Sequence, residues 1–198
     1  MTTNKSNPQE FYAKDRGTWR NWLKKYHDKV PNVRLLLYRK NSTKQCVTYE
    51  EAVEEALCYG WIDGRANKRD DESFFIFFSE RKPKGNWSAI NKKRITKLKK
   101  QGLMTEAGLA KIEAAKKNGS WTNLDNIDQL KMPADLQKVM AKNKKAEKFF
   151  EAFPPSAKKI IFMWIENAKT PATREKRLSE TVTSAARNKR ANQPNPKA

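Results

Sequence analysis

The seven residues Cys58 to Gly64, CYGWIDG, set a thiol, a carboxylate and two aromatic rings beside two glycines. A thiol serves nucleophilic chemistry when a neighbour lowers its pKa, and a carboxylate serves as a general acid or base. Continuing a helix from Tyr49 argues against the first role. Cys58 then falls away from the apolar stripe, one turn after Glu54 and close to the helix C-terminus, and each feature raises a thiol pKa. His27, the single histidine, is far away in sequence and reads as a cap or surface residue. An inert thiol is expected. Asp63 before Gly64 has the form of a turn, and Trp61 with Ile62 that of core anchors. There is no second acid at a hydrolase spacing, no glycine-rich phosphate loop and no set of metal ligands. Neither a catalytic residue nor a metal or cofactor is expected.

Residues suited to binding are more numerous. In the segment from Trp87 to Gln101, Asn91 and Arg94 share a helical stripe with Trp87, Ile90, Ile95 and Leu98, while Lys92, Lys93, Lys97, Lys99 and Lys100 take the outer face. Buried polar groups need partners. Two readings follow: Asn91 and Arg94 tie down a loop or an acid such as Asp63, or they face a pocket. That pocket would have Trp61 and Trp87 as its floor, with Asp63, Arg81, Lys82, Asn91 and Arg94 as polar groups suited to a small anion. From Arg81 to Lys100 there are nine basic residues and no acid, so the outer lysines also form a candidate nucleic-acid face. Near the C-terminus, Arg174 and Arg177 lie on the same face as Leu178, Thr181 and Val182, as interdomain ion pairs or anion contacts.

These side chains need a scaffold. Trp19, Trp22, Leu23 and Tyr26 form the stripe of a helix within Phe11 to Tyr26, and Val33 to Lys40 reads as a strand. Thr48 with Glu51 is a capping box opening a helix, with Glu50, Glu51, Glu54 and Glu55 on its outer face and Gly60 just past its end. Ser73 to Lys82, SFFIFFSERK, is a strand buried on both faces. Helices follow over Trp87 to Gln101 and Thr105 to Asn118. The stretch Thr122 to Pro133 loses periodicity, and the remainder is helical, with Pro154, Pro155 and Thr170 followed by Pro171 as punctuation. The expected fold class is α+β. An N-terminal domain over 10–122 has a small sheet covered by helices, 123–132 is a linker, 133–187 is a small all-helical domain, and 188–198 is a disordered basic tail.

With 42 Lys plus Arg against 22 Asp plus Glu the chain carries +20, which favours an anionic partner, either nucleic acid or an acidic protein surface. Two cysteines without C-x-x-C spacing read as reduced thiols. The opening MTTNKSNPQEF has no apolar segment and no stretch approaches membrane-span length, so a cytoplasmic location is expected.

The words TWRNWL, TYEEAVEEALCYGWIDG, ERKPKGNWSAIN, GLMTEAGLAKIEAAKKNGSW and AKTPATREKR occur in this order over nearly the whole chain. On them the sequence resembles the YdeI/OmpD-associated family of bacteriocin-protection proteins. The resemblance implies protection against antimicrobial peptides and association with an outer-membrane porin, and no enzymatic activity. The leading expectation is thus a non-catalytic binding protein linked to stress or antimicrobial-peptide protection. The nucleic-acid face and the small-anion pocket stand as alternatives.

Overall fold

The computed structural model describes residues 9–193. In chain order its elements are β1 (Glu10–Tyr12), α1 (Arg16–Tyr26), β2 (Asn32–Tyr38), α2 (Tyr49–Cys58), β3 (Trp61–Lys68), β4 (Ser73–Glu80), α3 (Ala89–Lys100), α4 (Glu106–Lys117), α5 (Asp125–Asp128), α6 (Ala134–Met140), α7 (Lys144–Glu151), α8 (Pro155–Glu166) and α9 (Pro171–Ala185). The fold is α+β, and the chain divides between Asn123 and Leu124 into two compact units. No helix among the described residues is long and apolar enough to cross a membrane.

The first unit is a four-stranded sheet of order β1-β2-β4-β3, with β1 parallel to β2 and the other pairs antiparallel. Residues 11–26 divide where one helix was expected. Phe11 pairs with Leu35 in the sheet, and Asp15 caps α1 by accepting from the Thr18 amide. The larger difference is β3. Asp63 and Gly64 were expected in a turn, yet both lie in a strand that pairs with β4 and carries a bulge between Asp63 and Ala66. Trp61 begins that strand fully buried, edge-on to Trp22, and its indole donates to the His27 carbonyl at 3.1 Å.

Helix α2 lies against α1, β3, α3 and α4. Its capping box is present, with Thr48 accepting from the Glu51 amide and Glu51 accepting from that of Thr48. Glu54 and Glu55, expected on the outer face, are buried. Both carboxylates are satisfied by cations from neighbouring helices: Glu55 by Arg16 and Arg20, each at 2.6 Å, and Glu54 by Arg16 at 3.0 Å and Lys97 at 2.9 Å. The stripe of α2 was therefore read too narrowly, since ion pairs let a second face turn inward. In α3 the reverse holds: Ile90, expected in the stripe, is 63% exposed.

The C-terminal end of α2 shows what CYGWIDG does. Gly60 adopts φ +75°, the left-handed conformation that ends the helix. The Cys58 carbonyl accepts from both the Thr105 amide, at 3.2 Å, and the Thr105 hydroxyl, at 2.6 Å. One turn on, Gly108 of α4 sits so close that a Cβ there would meet the same carbonyl oxygen at 2.2 Å.

The second unit packs α5 to α9 around Leu136, Met140, Phe150, Ile161, Phe162 and Ile165. Two stretches differ from expectation. The linker read over 123–132 holds α5, and its Leu124 and Ile127 are buried in this core. The tail read as disordered from 188 is placed as far as Gln193: Ala191 is buried, and the Gln193 side-chain amide donates to the Ala157 carbonyl at 3.0 Å. Residues 194–198 lie outside the described residues.

Two predictions follow from α2. Gly108→Ala forces α4 away from the Cys58 carbonyl, and thermal unfolding is expected to show a loss of about 1–3 kcal/mol. Burial acts to raise the Glu54 carboxyl, but Lys97 and Arg16 outweigh it and hold it below the ordinary range. A depressed carboxyl stabilises the fold above its unfolded pKa, near about 4.5, and that contribution is lost as pH falls through the folded value. Denaturant midpoints measured from neutral pH downward are expected to fall below about pH 4.5, and Lys97→Met is expected to make that acid limb shallower.

Candidate functional site

The residues singled out around CYGWIDG and α3 separate into three places. Trp61 is core, and the only cleft it lines among those described is one of about 510 Å3 with His27, Tyr59, Glu80 and Lys111. Lys82 is exposed on the turn after β4. The remaining five, Asp63, Arg81, Trp87, Asn91 and Arg94, are carried by the bulged end of β3, the exit of β4 and the start of α3.

Within that group each contact has a local cause. The β3 strand presents Asp63 toward the start of α2, where Tyr49 donates its hydroxyl to Asp63 Oδ2 at 2.7 Å. Burial first, and this bond second, push the Tyr49 phenol up to about 12. Ser88 caps α3 by accepting from the Asn91 amide. The Asn91 side chain then accepts from Arg94 Nη1 at 3.0 Å, three residues along the same helix. Arg94 is thus tied to Asn91, and its charge also favours the ionised form of Tyr49.

Arg81 is the anomaly. It is 4% exposed and stands with Cζ 3.6 Å from the Trp87 ring centroid. Its Nη1 donates to the Asn86 carbonyl at 2.8 Å, yet Nε and Nη2 are buried without a hydrogen-bond partner. Burial drives the guanidinium down to about 10 against the opposing charge of Asp63. Nε–H and Nη2–H form the lateral fork of an arginine, the edge that receives a carboxylate or phosphate in a bidentate manner. Arg174 shows the same edge in use: its Nε and Nη2 both donate to Asp135, and Nη2 also reaches Glu166 at 3.0 Å.

The other candidates have mixed fates. Arg174 and Arg177 direct these bonds within the second unit, Arg177 donating to the Trp164 carbonyl and lying over its ring. Of the α3 lysines, Lys97 is committed to Glu54, Lys92 stands 5.2 Å from the Trp121 ring centroid, and Lys93, Lys99 and Lys100 are exposed. Cys58, expected off the apolar stripe, is fully buried in the core. Burial, with the Glu55 carboxylate beside it, pushes its thiol up to about 11. No group of three His, Cys, Asp or Glu among the described residues could hold a metal ion.

Tyr49 is the member that sequence reading missed. It is 38% exposed, and its role depends on Asp63 being in a strand. It also lines, with Arg39, Lys44 and Cys46, a cleft of about 560 Å3 beside the 39–48 loop.

Residues 11–111 match the model of a domain of unknown function, DUF8412, and residues 129–188 match that described as Bacteriocin-protection, YdeI or OmpD-Associated. The chain belongs to the DUF8412 family over its first unit, and carries the YdeI/OmpD-associated domain in its second. Comparison with curated proteins and with solved structures gives no match.

The two thiols differ enough to be told apart. With Ellman's reagent at about pH 8, the half-buried Cys46 is expected to react in the folded protein, while Cys58 reacts only after denaturant is added. Mass mapping of the modified peptides checks the order.

Proposed function

We propose that the protein is a non-catalytic binding protein whose first unit takes a small carboxylate or phosphate group on the Arg81 fork. The observation that carries this reading is the pair of buried, unpartnered donors, Nε and Nη2, on a guanidinium stacked over Trp87. An unsatisfied buried donor costs about 1–3 kcal/mol, more on a charged group, and an incoming anion removes that cost. Asp63, held by Tyr49, supplies a single negative charge near Arg81 and leaves the group net positive with Arg94. The Lys82–Gly85 turn flanks Nη1, on the side away from the fork atoms.

The bacteriocin-protection description of the second unit's model fits a protein that acts by binding. A chain at +20 repels cationic peptides at long range, so the bound partner is an anionic one. Both cysteines are free, which is consistent with action in a reducing compartment such as the cytoplasm.

Calorimetric titration with inorganic phosphate and with citrate tests the reading. Binding is expected with the native protein and about tenfold weaker in Arg81→Lys, which keeps the charge and loses the fork. Equal affinity in the two proteins, at matched thermal stability, would remove Arg81 from the site.

A further inference from the structure

We propose that the face of the first unit's sheet turned away from α1 and α2 is a binding platform for single-stranded nucleic acid, at a site separate from the Arg81 fork. The sheet has two chemically different faces. Alternate residues of the central strands, Leu35, Leu37, Ile76 and Phe78, enter the core with α1 and α2. Their neighbours Leu36 and Phe75 are also buried, at 8% and 6%, yet among the described residues they belong to neither hydrophobic core. What covers them is a set of arginines and tyrosines.

Arg34 places its guanidinium 4.5 Å from the Phe75 ring centroid, and Arg69 places its own 5.9 Å away. Across the sheet, Tyr12 is in register with Leu36, and Leu36 with Phe75. Tyr12 is 45% exposed and meets Tyr38 edge-on at 6.1 Å, and Lys44 lies 5.2 Å from the Tyr38 centroid. Tyr12, Leu36, Phe75 and Arg69 border a shallow hollow of about 190 Å3 on this face. The Tyr12 and Tyr38 rings and the Arg34 and Arg69 guanidinium planes offer stacking surfaces for unpaired bases.

The charges suit a phosphate backbone. Among the described residues the ion pairs of Arg34, Lys44 and Arg69 are long ones, to Glu10 at 3.4 Å, Glu72 at 3.5 Å and Asp70 at 3.8 Å. Pairs of this length between partly or fully exposed groups are weak and yield to a phosphate. Arg34 Nε, moreover, is buried without a partner. A double helix cannot use this face, because its bases are stacked on one another and unavailable to the rings.

Fluorescence anisotropy with labelled oligouridylate of about 12 nucleotides, at about 100 mM salt, tests the proposal on the full chain. Binding is expected, with the matched duplex bound at least tenfold more weakly. Arg34→Ala with Arg69→Ala is expected to lower affinity at least tenfold, and Tyr38→Leu about fivefold or more. Lys93→Glu with Lys99→Glu on α3 is expected to cost less than either. Arg81→Lys should leave this affinity unchanged, which separates the platform from the anion site. Should the sheet variants unfold, photocrosslinking of 4-thiouridine to the native protein decides, since adducts are expected on the peptides that carry Tyr12 or Tyr38. Four results would overturn the proposal: no binding, equal binding of the duplex, adducts confined to α3, or polyglutamate competing as well as oligouridylate.

Discussion

Neutralisation of the Glu54 and Glu55 carboxylates within the first unit is the interaction on which its helices depend. Two acids on adjacent positions of α2 cannot both leave water without cations, and Arg16, Arg20 and Lys97 supply them from α1 and α3. Because three elements converge on one pair of side chains, their mutual orientation is set by hydrogen-bond geometry as well as by apolar packing. Arg20 extends the network further, donating to the Leu103 carbonyl at 2.9 Å just ahead of α4. Residues 52–58 of α2 can then all be buried although two of them are carboxylates.

That arrangement explains the character of CYGWIDG. Cys58 and Gly60 end a buried helix and receive α4, so the segment's chemistry is spent on docking: a carbonyl shared by two Thr105 donors, a glycine at positive φ, and Gly108 in contact with the backbone. The same chain direction carries Trp61 into the core and Asp63 out to Tyr49. A thiol and a carboxylate five residues apart consequently have unrelated environments, one buried in the core beside Glu55 and the other bonded to a partly exposed phenol.

Arginine does two kinds of work here. Arg174 spends its lateral edge on Asp135, and that ion pair raises its own pKa and lowers that of Asp135. Arg81 has the same edge buried without a partner and is pushed the other way. On the outer sheet face, Arg34 and Arg69 cover Phe75 with their guanidinium planes while keeping loose acidic partners. A side chain that is always charged can therefore lock a fold, wait for an anion, or lie over a ring, according to which partner its surroundings supply.

Local rules sufficed for much of this. The Thr48 capping box, the Trp19, Trp22 and Leu23 stripe, the Thr170–Pro171 helix start and the continuous apolar run of β4 are visible in the residues, because caps and apolar patterning act over a few positions. So is the net charge of +20. Tertiary structure alone decided the rest. Asp63 and Gly64 carry turn chemistry, and only pairing with Phe77 and Phe78 of β4 makes them strand. Glu54 and Glu55 look solvent-facing until arginines from another helix neutralise them. Which face of β2 and β4 meets the helices, and which carries its rings and guanidinium groups away from them, is a property of partners far away in sequence, and no local pattern carries it.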